Sequence, residues 1–175
     1  MATVGYMTSR QRDRELDAKA VREILRDPRN WVAAKYLRSC ADQIDGGGYV
    51  RHSYDDLIDE LEGIAPTRDA RCVDLLGMYS LVHEGVVYGM AIGRGTLAFR
   101  LPEPPAHLER PGNVVLRQPK FAEHPDTSPK IEEPGGDWVL VSAWRVIGDR
   151  SRKKALEQAC LDSYEYMAKL DPYTD

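Results

Sequence analysis

The run GMYSLVHEGVVYGMAIGRGTLAFRLP, from Gly77 to Pro102, decides the fold. It contains three segments rich in branched and aromatic residues, Met78–Glu84, Val86–Ile92 and Thr96–Leu101, and a turn containing glycine follows each of the first two. Short strands of this composition, joined by such turns, form antiparallel hairpins. The run therefore predicts a three-stranded antiparallel meander.

The lengths of the two turns decide which side chains share a face of the meander. Two-residue turns at Glu84–Gly85 and Arg94–Gly95 keep the bulky residues together, whereas a three-residue turn at Gly93–Gly95 divides them between two faces. We therefore predict two-residue turns. The core side then carries Tyr79, Leu81, Tyr88, Met90, Phe99 and Leu101, and the opposite side is small and half polar, with Ser80, Gly89, Thr96 and Arg100 among its residues.

Three segments with the apolar periodicity of amphipathic helices precede the meander, at 13–26, 30–45 and 53–66. Asp13 caps the first of them in this prediction, and Trp31 falls on the apolar side of the second. Ser53 offers an N-cap hydroxyl for the third. We expect these helices to pack on the sheet.

The chain after the meander begins with a proline-rich excursion at 102–136, which has little periodicity. Asp137–Trp144 is apolar on both sides, as in a strand interior to a sheet, and a last helix runs from about Ser151 to Leu170. The predicted fold class is α+β, an antiparallel β-meander sheet with N-terminal helices and a C-terminal helix. The predicted regions are a flexible N-terminus at 1–10, a helical region at 11–66 and an antiparallel-sheet domain at 67–175.

Composition narrows the classes of function. The 175 residues are 42% hydrophobic and 30% charged, which is typical of a globular domain with a core of its own. Lysine and arginine number 24 against 28 acidic residues, which argues against nucleic acid as the main partner. We find no run long enough to span a membrane, no secretion signal, and three scattered cysteines typical of reduced thiols, so we expect a cytoplasmic protein.

The order of the elements resembles a known family. The run from Gly77 to Pro102 is similar to the meander of the TfoX N-terminal domain family, and DWVLVSAWRVIGDRSRKKALEQACLDSY, from Asp137 to Tyr164, is similar to its closing strand and helix. The related YjbR-like domains share this plan. Leu76, Gly77 and Met78 stand where the family has Phe-Gly-Gly. The resemblance implies an α+β binding or regulatory module with no catalytic residues to carry over.

Arg100 is the main candidate for ligand binding. In the predicted register it lies opposite Gly89, which lies opposite Ser80, so its guanidinium extends over a strip of small residues that also includes Thr96. Its planar set of donors suits an anionic small ligand or an acidic protein segment. The alternative is an arginine paired with an acid such as Glu84 or a helix carboxylate.

Arg150, Arg152 and Lys153 form a second candidate, for anion binding, at the start of the last predicted helix. Cations are unfavourable at a helix N-terminus, whose free N–H groups attract anions instead. The alternative is a solvated cluster of charges that nearby acids offset.

These features predict a non-catalytic binding or regulatory domain without a cofactor or a metal site. One alternative is a small enzyme that uses a histidine such as His83 or His124 as acid or base, in a pocket between the meander and the 102–136 excursion. Another is a homo-oligomeric module, for example a homodimer, in which the exposed side of the sheet or Trp138 and Trp144 meet a second copy.

Overall fold

A computed structural model describes residues 16–45, 53, 55–93, 95–106, 108, 134–143 and 150–170, with the backbone alone at 41–45 and 151. Its helices are α1 (Ala18–Arg26), α2 (Trp31–Asp45), α3 (Asp55–Ile64) and α4 (Arg150–Ala168), and a single 3-10 turn, Pro28–Asn30, joins α1 to α2. Its strands are β1 (Cys72–Leu75), β2 (Met78–His83), β3 (Val86–Ile92), β4 (Thr96–Arg100) and β5 (Trp138–Ser142). These elements confirm the predicted α+β class.

The five strands form one antiparallel sheet in the order β1-β2-β3-β4-β5, so each strand pairs with its neighbour in sequence. The sequence prediction missed β1. In the described part of the chain β5 is the last strand of the sheet, whereas the sequence predicts it in the interior. Both sides of β5 are apolar because helices cover both faces of the sheet.

The two faces of the sheet are buried under different helices. The α3–α4 face carries Tyr79, Leu81, Tyr88, Phe99 and Leu101. The α1–α2 face carries Leu75, Met78, Met90, Ile92, Ala98 and Trp138. The prediction of one small, half-polar and open side was therefore wrong.

The two hairpin turns of the meander have different lengths. His83 pairs with Val86, which confirms the two-residue turn at Glu84–Gly85. Ile92 pairs with Thr96, so the next turn has three residues, and the prediction of two was wrong. That prediction assumed a single buried face. Because both faces are buried, the bulky residues need not all lie on one of them.

Tyr88 is an extra residue in β3. Val82 pairs with Val87, but Leu81 pairs with Gly89, which leaves Tyr88 without a partner on β2. A bulge of this kind turns the following residues to the other side of the strand. As a result Met90 lies on the α1–α2 face, and its predicted place beside Tyr88 was wrong.

Three buried polar side chains from outside the sheet complete the hydrogen bonds of β3. Ser163 of α4 accepts from the Arg100 amide at 2.8 Å and donates to the Tyr88 carbonyl at 2.6 Å. Ser53 accepts from the Tyr79 amide at 2.9 Å and donates to the carbonyl of Ala91 at 2.6 Å, so its hydroxyl serves the sheet and not the predicted N-cap. Asn30, in the 3-10 turn, accepts from the Val87 amide at 2.9 Å.

Two details of the N-terminal helices differ from the sequence prediction. Asp17 caps α1, because its carboxylate accepts from the amides of Lys19 and Ala20 at 2.9 and 2.8 Å; Asp13 lies outside the described residues. Trp31, at the start of α2, is 68% exposed and does not join the buried side of the helix. The region at 1–10 and most of the excursion at 102–136 also lie outside the described residues.

Candidate functional site

Arg100 is an internal residue and does not extend over an open strip. Its side chain is 7% exposed, and its Nη2 atom lies 2.9 Å from Oδ2 of Asp137. Nη1 donates to the carbonyl of Arg29 at 2.8 Å, and the guanidinium carbon lies 5.7 and 5.8 Å from the ring centroids of Trp138 and Tyr166. Arg100 is therefore paired with an acid, as in the alternative prediction. The acid comes from the residue before β5, not from the β2–β3 turn or a helix.

The other residues of the predicted ligand strip, Ser80, Gly89 and Thr96, are also covered. Gly89 pairs with Leu81 and with a phenylalanine of β4, so it does not lie opposite Arg100. A Cβ atom at position 89 would lie 3.5 Å from a leucine Cδ1 of α3. Ser80 and Thr96 are fully buried. The predicted open strip is wrong because the β3 bulge redirects Gly89 and because helices cover both faces.

His83 lies at the tip of the β2–β3 hairpin. Its Nε2 atom is 3.4 Å from Oη of Tyr164 and 3.9 Å from Oε1 of Glu84. The rings of His83 and Tyr164 meet edge to face, with centroids 5.1 Å apart. This contact attaches α4 to the hairpin tip. His107 and His124 lie outside the described residues.

The basic cluster at Arg150, Arg152 and Lys153 occupies the first turn of α4, and no acidic residue lies in that turn. Arg150 and Lys153 are exposed, whereas Arg152 is half-buried. The cluster therefore has the predicted place at a helix N-terminus. Anion binding there stays a prediction.

The three cysteines form no disulfide bond and are buried, whereas the sequence predicts reduced, partly buried thiols. Burial raises the pKa of Cys160 to about 12, so its thiol stays protonated at neutral pH. A protonated, buried thiol is a poor nucleophile.

The surfaces predicted for self-association are covered as well. Trp138 is 2% exposed, and helices cover both faces of the sheet. Trp144 lies outside the described residues. In the described part of the chain, the large hydrophobic residues that are exposed are Trp31 and Leu76, at 68% and 37%.

A cavity of about 420 Å³ lies between α1 and the turn that joins β1 to β2. Leu16, Val21 and Leu25 line it on the helix side, and Leu76 lines it on the turn side. Arg22 and Asp74 also contribute to the lining. A concave, mainly apolar surface with a few polar groups is typical of ligand sites.

The turn that forms one wall of this cavity is strained. Leu76 and Gly77 make up a two-residue turn with φ angles of +57° and +88°. Left-handed backbone costs a leucine about 1–2 kcal/mol, and hairpin turns of this kind favour Asn-Gly instead. Asp74 holds the turn in place, since its Oδ1 accepts from the Gly77 amide at 2.7 Å. The protein thus keeps a partly exposed leucine where asparagine would relieve strain, and such strain is concentrated at functional sites.

Arg22 supplies a positive charge beside the apolar lining. It is exposed on α1, and within the described residues no ion pair joins it to a carboxylate, although Asp74 belongs to the same cavity lining. Its neighbour Lys19, by contrast, lies 3.9 Å from Glu23. The carboxylate of Asp74 is already engaged by the turn. The cavity therefore combines apolar walls with the carboxylate of Asp74 and with the guanidinium of Arg22, which forms no ion pair among the described residues.

Sequence reasoning missed this cavity. In the sequence, Leu76 and Gly77 stand out only as a departure from the Phe-Gly-Gly of the resembled family. The prediction lacked β1, the strand that directly precedes this pair. Once a strand is recognised at Cys72–Leu75, the pair becomes a two-residue hairpin turn with an unsuitable first residue.

Comparison with known proteins gives no information about this cavity. No protein-family model, curated protein or solved structure matches the chain. The resemblance to TfoX N-terminal and YjbR-like domains therefore stays a prediction. In the described residues, no helix has the length and apolar content that crossing a membrane requires, and no three His, Cys, Asp or Glu residues are grouped to hold a metal ion.

Proposed function

We propose that the protein is a cytosolic, non-catalytic binding or regulatory domain whose ligand carries an apolar group beside an anionic one. The cavity between α1 and the β1–β2 turn is the binding site in this proposal. Amphipathic small anions and acidic protein segments share this chemistry. The observation that carries the proposal is the strained and partly exposed Leu76 in the cavity wall.

The apolar part of the ligand contacts Leu16, Val21, Leu25 and Leu76 in this proposal. Transfer of a methylene group from water to such a surface contributes about 0.8 kcal/mol. A few methylene groups therefore suffice for measurable binding.

The anionic part of the ligand pairs with Arg22. A guanidinium offers a planar set of donors that matches a carboxylate. Because Arg22 is exposed, this pair contributes at most about 1 kcal/mol, so it selects among apolar ligands and does not hold them by itself.

Octanoate is a suitable first probe, since it has an apolar chain and one carboxylate. Its ten heavy atoms at about 0.3 kcal/mol each amount to about 3 kcal/mol, which corresponds to a Kd of several millimolar. Titration followed by ¹H–¹⁵N NMR should shift the amide signals of Leu76, Gly77 and the residues of α1. Octylamine, with the same chain and the opposite charge, should bind more weakly.

Two variants and a control test whether octanoate binds at this cavity. Arg22→Gln should weaken octanoate binding about two- to fivefold, the range of an exposed ion pair. Leu76→Asn should weaken it about fivefold or more because the variant removes an apolar wall. The matched control is Glu84→Asn, which changes the first residue of the other two-residue turn and should leave binding unchanged. The proposed site would be contradicted if Leu76→Asn left the affinity for octanoate unchanged, or if octanoate did not shift the NMR signals of these amides.

Self-association is a second candidate, favoured by the exposure of Trp31. Exposed tryptophans are frequent anchors in protein interfaces. If this residue joins two copies, sedimentation velocity should show a concentration-dependent dimer that Trp31→Ala removes. A monomer at all concentrations would contradict it.

A further inference from the structure

The lining of the cavity contains one charged residue of each sign. Arg22 belongs to α1, and Asp74 belongs to β1. Within the described residues no ion pair joins these two side chains to each other or to a third residue. A ligand with a single charge would leave one of the two without an opposite charge. A ligand that carries both signs can pair with both.

The carboxylate of Asp74 retains the capacity to bind a cation. Its Oδ1 accepts one hydrogen bond, from the Gly77 amide at 2.7 Å. A carboxylate has about four acceptor positions on its two oxygens, and an ammonium group offers three donors. Because Asp74 is half-buried, water and salt screen its charge less than that of an open surface group. An ammonium group can therefore bind Oδ2 while the turn keeps its own hydrogen bond.

Arg22 is suited to the opposite charge of the same ligand. It is exposed on α1, so its long side chain can turn towards a ligand carboxylate, which its planar donors match. An α-amino acid carries a carboxylate and an ammonium group on one carbon atom. Its side chain leaves from that same atom and is available to the apolar walls.

The other charged groups of this region lie outside the lining. Glu62, on α3, is engaged at the outer edge of β1, where its Oε1 accepts from the Cys72 amide at 2.9 Å. Lys19 and Glu23 of α1 lie 3.9 Å from each other. Exposed charged residues that flank α1 or β1 without belonging to the lining are Asp17, Arg26 and Arg71. The charges that a ligand in the cavity meets directly are therefore those of Arg22 and Asp74.

The size and the walls of the cavity favour a small ligand with an apolar side chain. Its volume of about 420 Å³ lies near the lower end of the range of about 300–1,000 Å³ that is typical of small-molecule sites. Leu16, Val21, Leu25 and Leu76 offer no hydrogen-bonding side-chain atoms. A polar ligand side chain would lose its water there without finding partners.

We propose that the ligand of the cavity is a free α-amino acid with an apolar side chain, whose carboxylate pairs with Arg22 and whose ammonium group pairs with Asp74. This inference rests on the proposed function, because it uses the same cavity and the same pair with Arg22. It adds the ammonium group, which the proposed function leaves open. A monoamine such as octylamine gains only the carboxylate that Asp74 shares with Gly77 and loses the Arg22 pair, so it remains a weaker ligand than octanoate.

L-Norleucine and hexanoate are the matched probes, because they share a six-carbon chain and a carboxylate and differ by one ammonium group. Titration of the full chain followed by ¹H–¹⁵N NMR should give norleucine a Kd about two- to fivefold lower than that of hexanoate, the range of a partly exposed ion pair. N-Acetyl-L-norleucine keeps the chain and the carboxylate but has no cation. It should bind no more tightly than hexanoate.

Asp74→Asn tests which residue binds the ammonium group. The asparagine side-chain carbonyl can still accept from the Gly77 amide, so this variant removes the charge and keeps the turn. Norleucine should then lose its two- to fivefold advantage over hexanoate. The ratio of the two affinities is the measured quantity, because a change in the shape of the cavity affects both ligands. The matched control is Glu23→Gln, which removes an exposed carboxylate of α1 outside the lining and should leave the advantage unchanged.

The outcomes separate this inference from the proposed function. If octanoate and hexanoate bind at the cavity but norleucine has no advantage, the inference is overturned and the proposed function stands. The same holds if N-acetylnorleucine shares the advantage or if the advantage survives Asp74→Asn. If neither the carboxylates nor norleucine shift the amide signals of Leu76 and Gly77, both are overturned.

Discussion

Replacement of Leu76 by asparagine and by alanine should separate the strain of the β1–β2 turn from the burial of its leucine. About 60% of Leu76 is buried, so either substitution loses about 1–2 kcal/mol of the apolar burial of a full leucine. Asparagine adopts the left-handed region at low cost and recovers a strain of about 1–2 kcal/mol, but alanine retains it. The two terms nearly cancel for Leu76→Asn. We expect this variant to lie within about 0.5 kcal/mol of the natural protein, with Leu76→Ala about 1 kcal/mol less stable than the asparagine variant.

Urea unfolding followed by circular dichroism measures this order, because a change of midpoint at constant slope is a change of stability. Glu84→Asn is the matched control. Glu84 has a φ of +49°, and its side chain is 84% exposed, so this substitution relieves strain without losing burial. It should stabilise the protein by about 1 kcal/mol. An alanine variant at 76 as stable as the asparagine variant would refute the reasoning, since the turn would then carry no strain that asparagine relieves.

Three further predictions concern other parts of the molecule. The hydrogen bond from Arg29 holds the pKa of Asp27 below its usual 3.8. This carboxylate therefore stabilises the fold above pH 3.8, and its contribution is lost as the pH falls through the lowered pKa. In an acid titration, Asp27→Asn should lose stability less steeply than the natural protein. Ser163→Ala leaves two buried main-chain groups unpaired and should cost about 2 kcal/mol or more in urea unfolding, whereas a loss under 0.5 kcal/mol would show that the serine bridge is dispensable. Cys160 should react with iodoacetamide only as fast as the protein unfolds, because its pKa of about 12 and its burial keep the thiol protonated and covered; rapid labelling of the folded protein would contradict this.

The strands of the meander were predictable because they are short, rich in branched residues and bounded by glycine. Their observed ends differ from the prediction by at most one residue. β1 was missed because Cys72–Leu75 has only four residues and one of them is an aspartate. Local composition alone does not distinguish such a segment from a loop.

The register was not predictable from local turn chemistry. Tyr88 bulges from β3, and its carbonyl bonds to Ser163, which lies 75 positions later in the chain. The sequence of the hairpin alone gives no indication of a partner so distant in the chain. The same limit applies to Arg100, whose partner Asp137 lies 37 positions away and beyond the proline-rich excursion. The sequence of the meander therefore could not show that Arg100 is paired with an acid inside the fold.

The three polar side chains that bond to β3 affect how the domain folds. Asn30, Ser53 and Ser163 each complete a hydrogen bond with a main-chain group of this central strand. Until the helical segments dock, those groups lack their partners, so an isolated meander is incomplete and the sheet and helices should form in one cooperative step. Native-state hydrogen exchange should then show the amides of β3 and the middle of α4 opening together, with one common free energy.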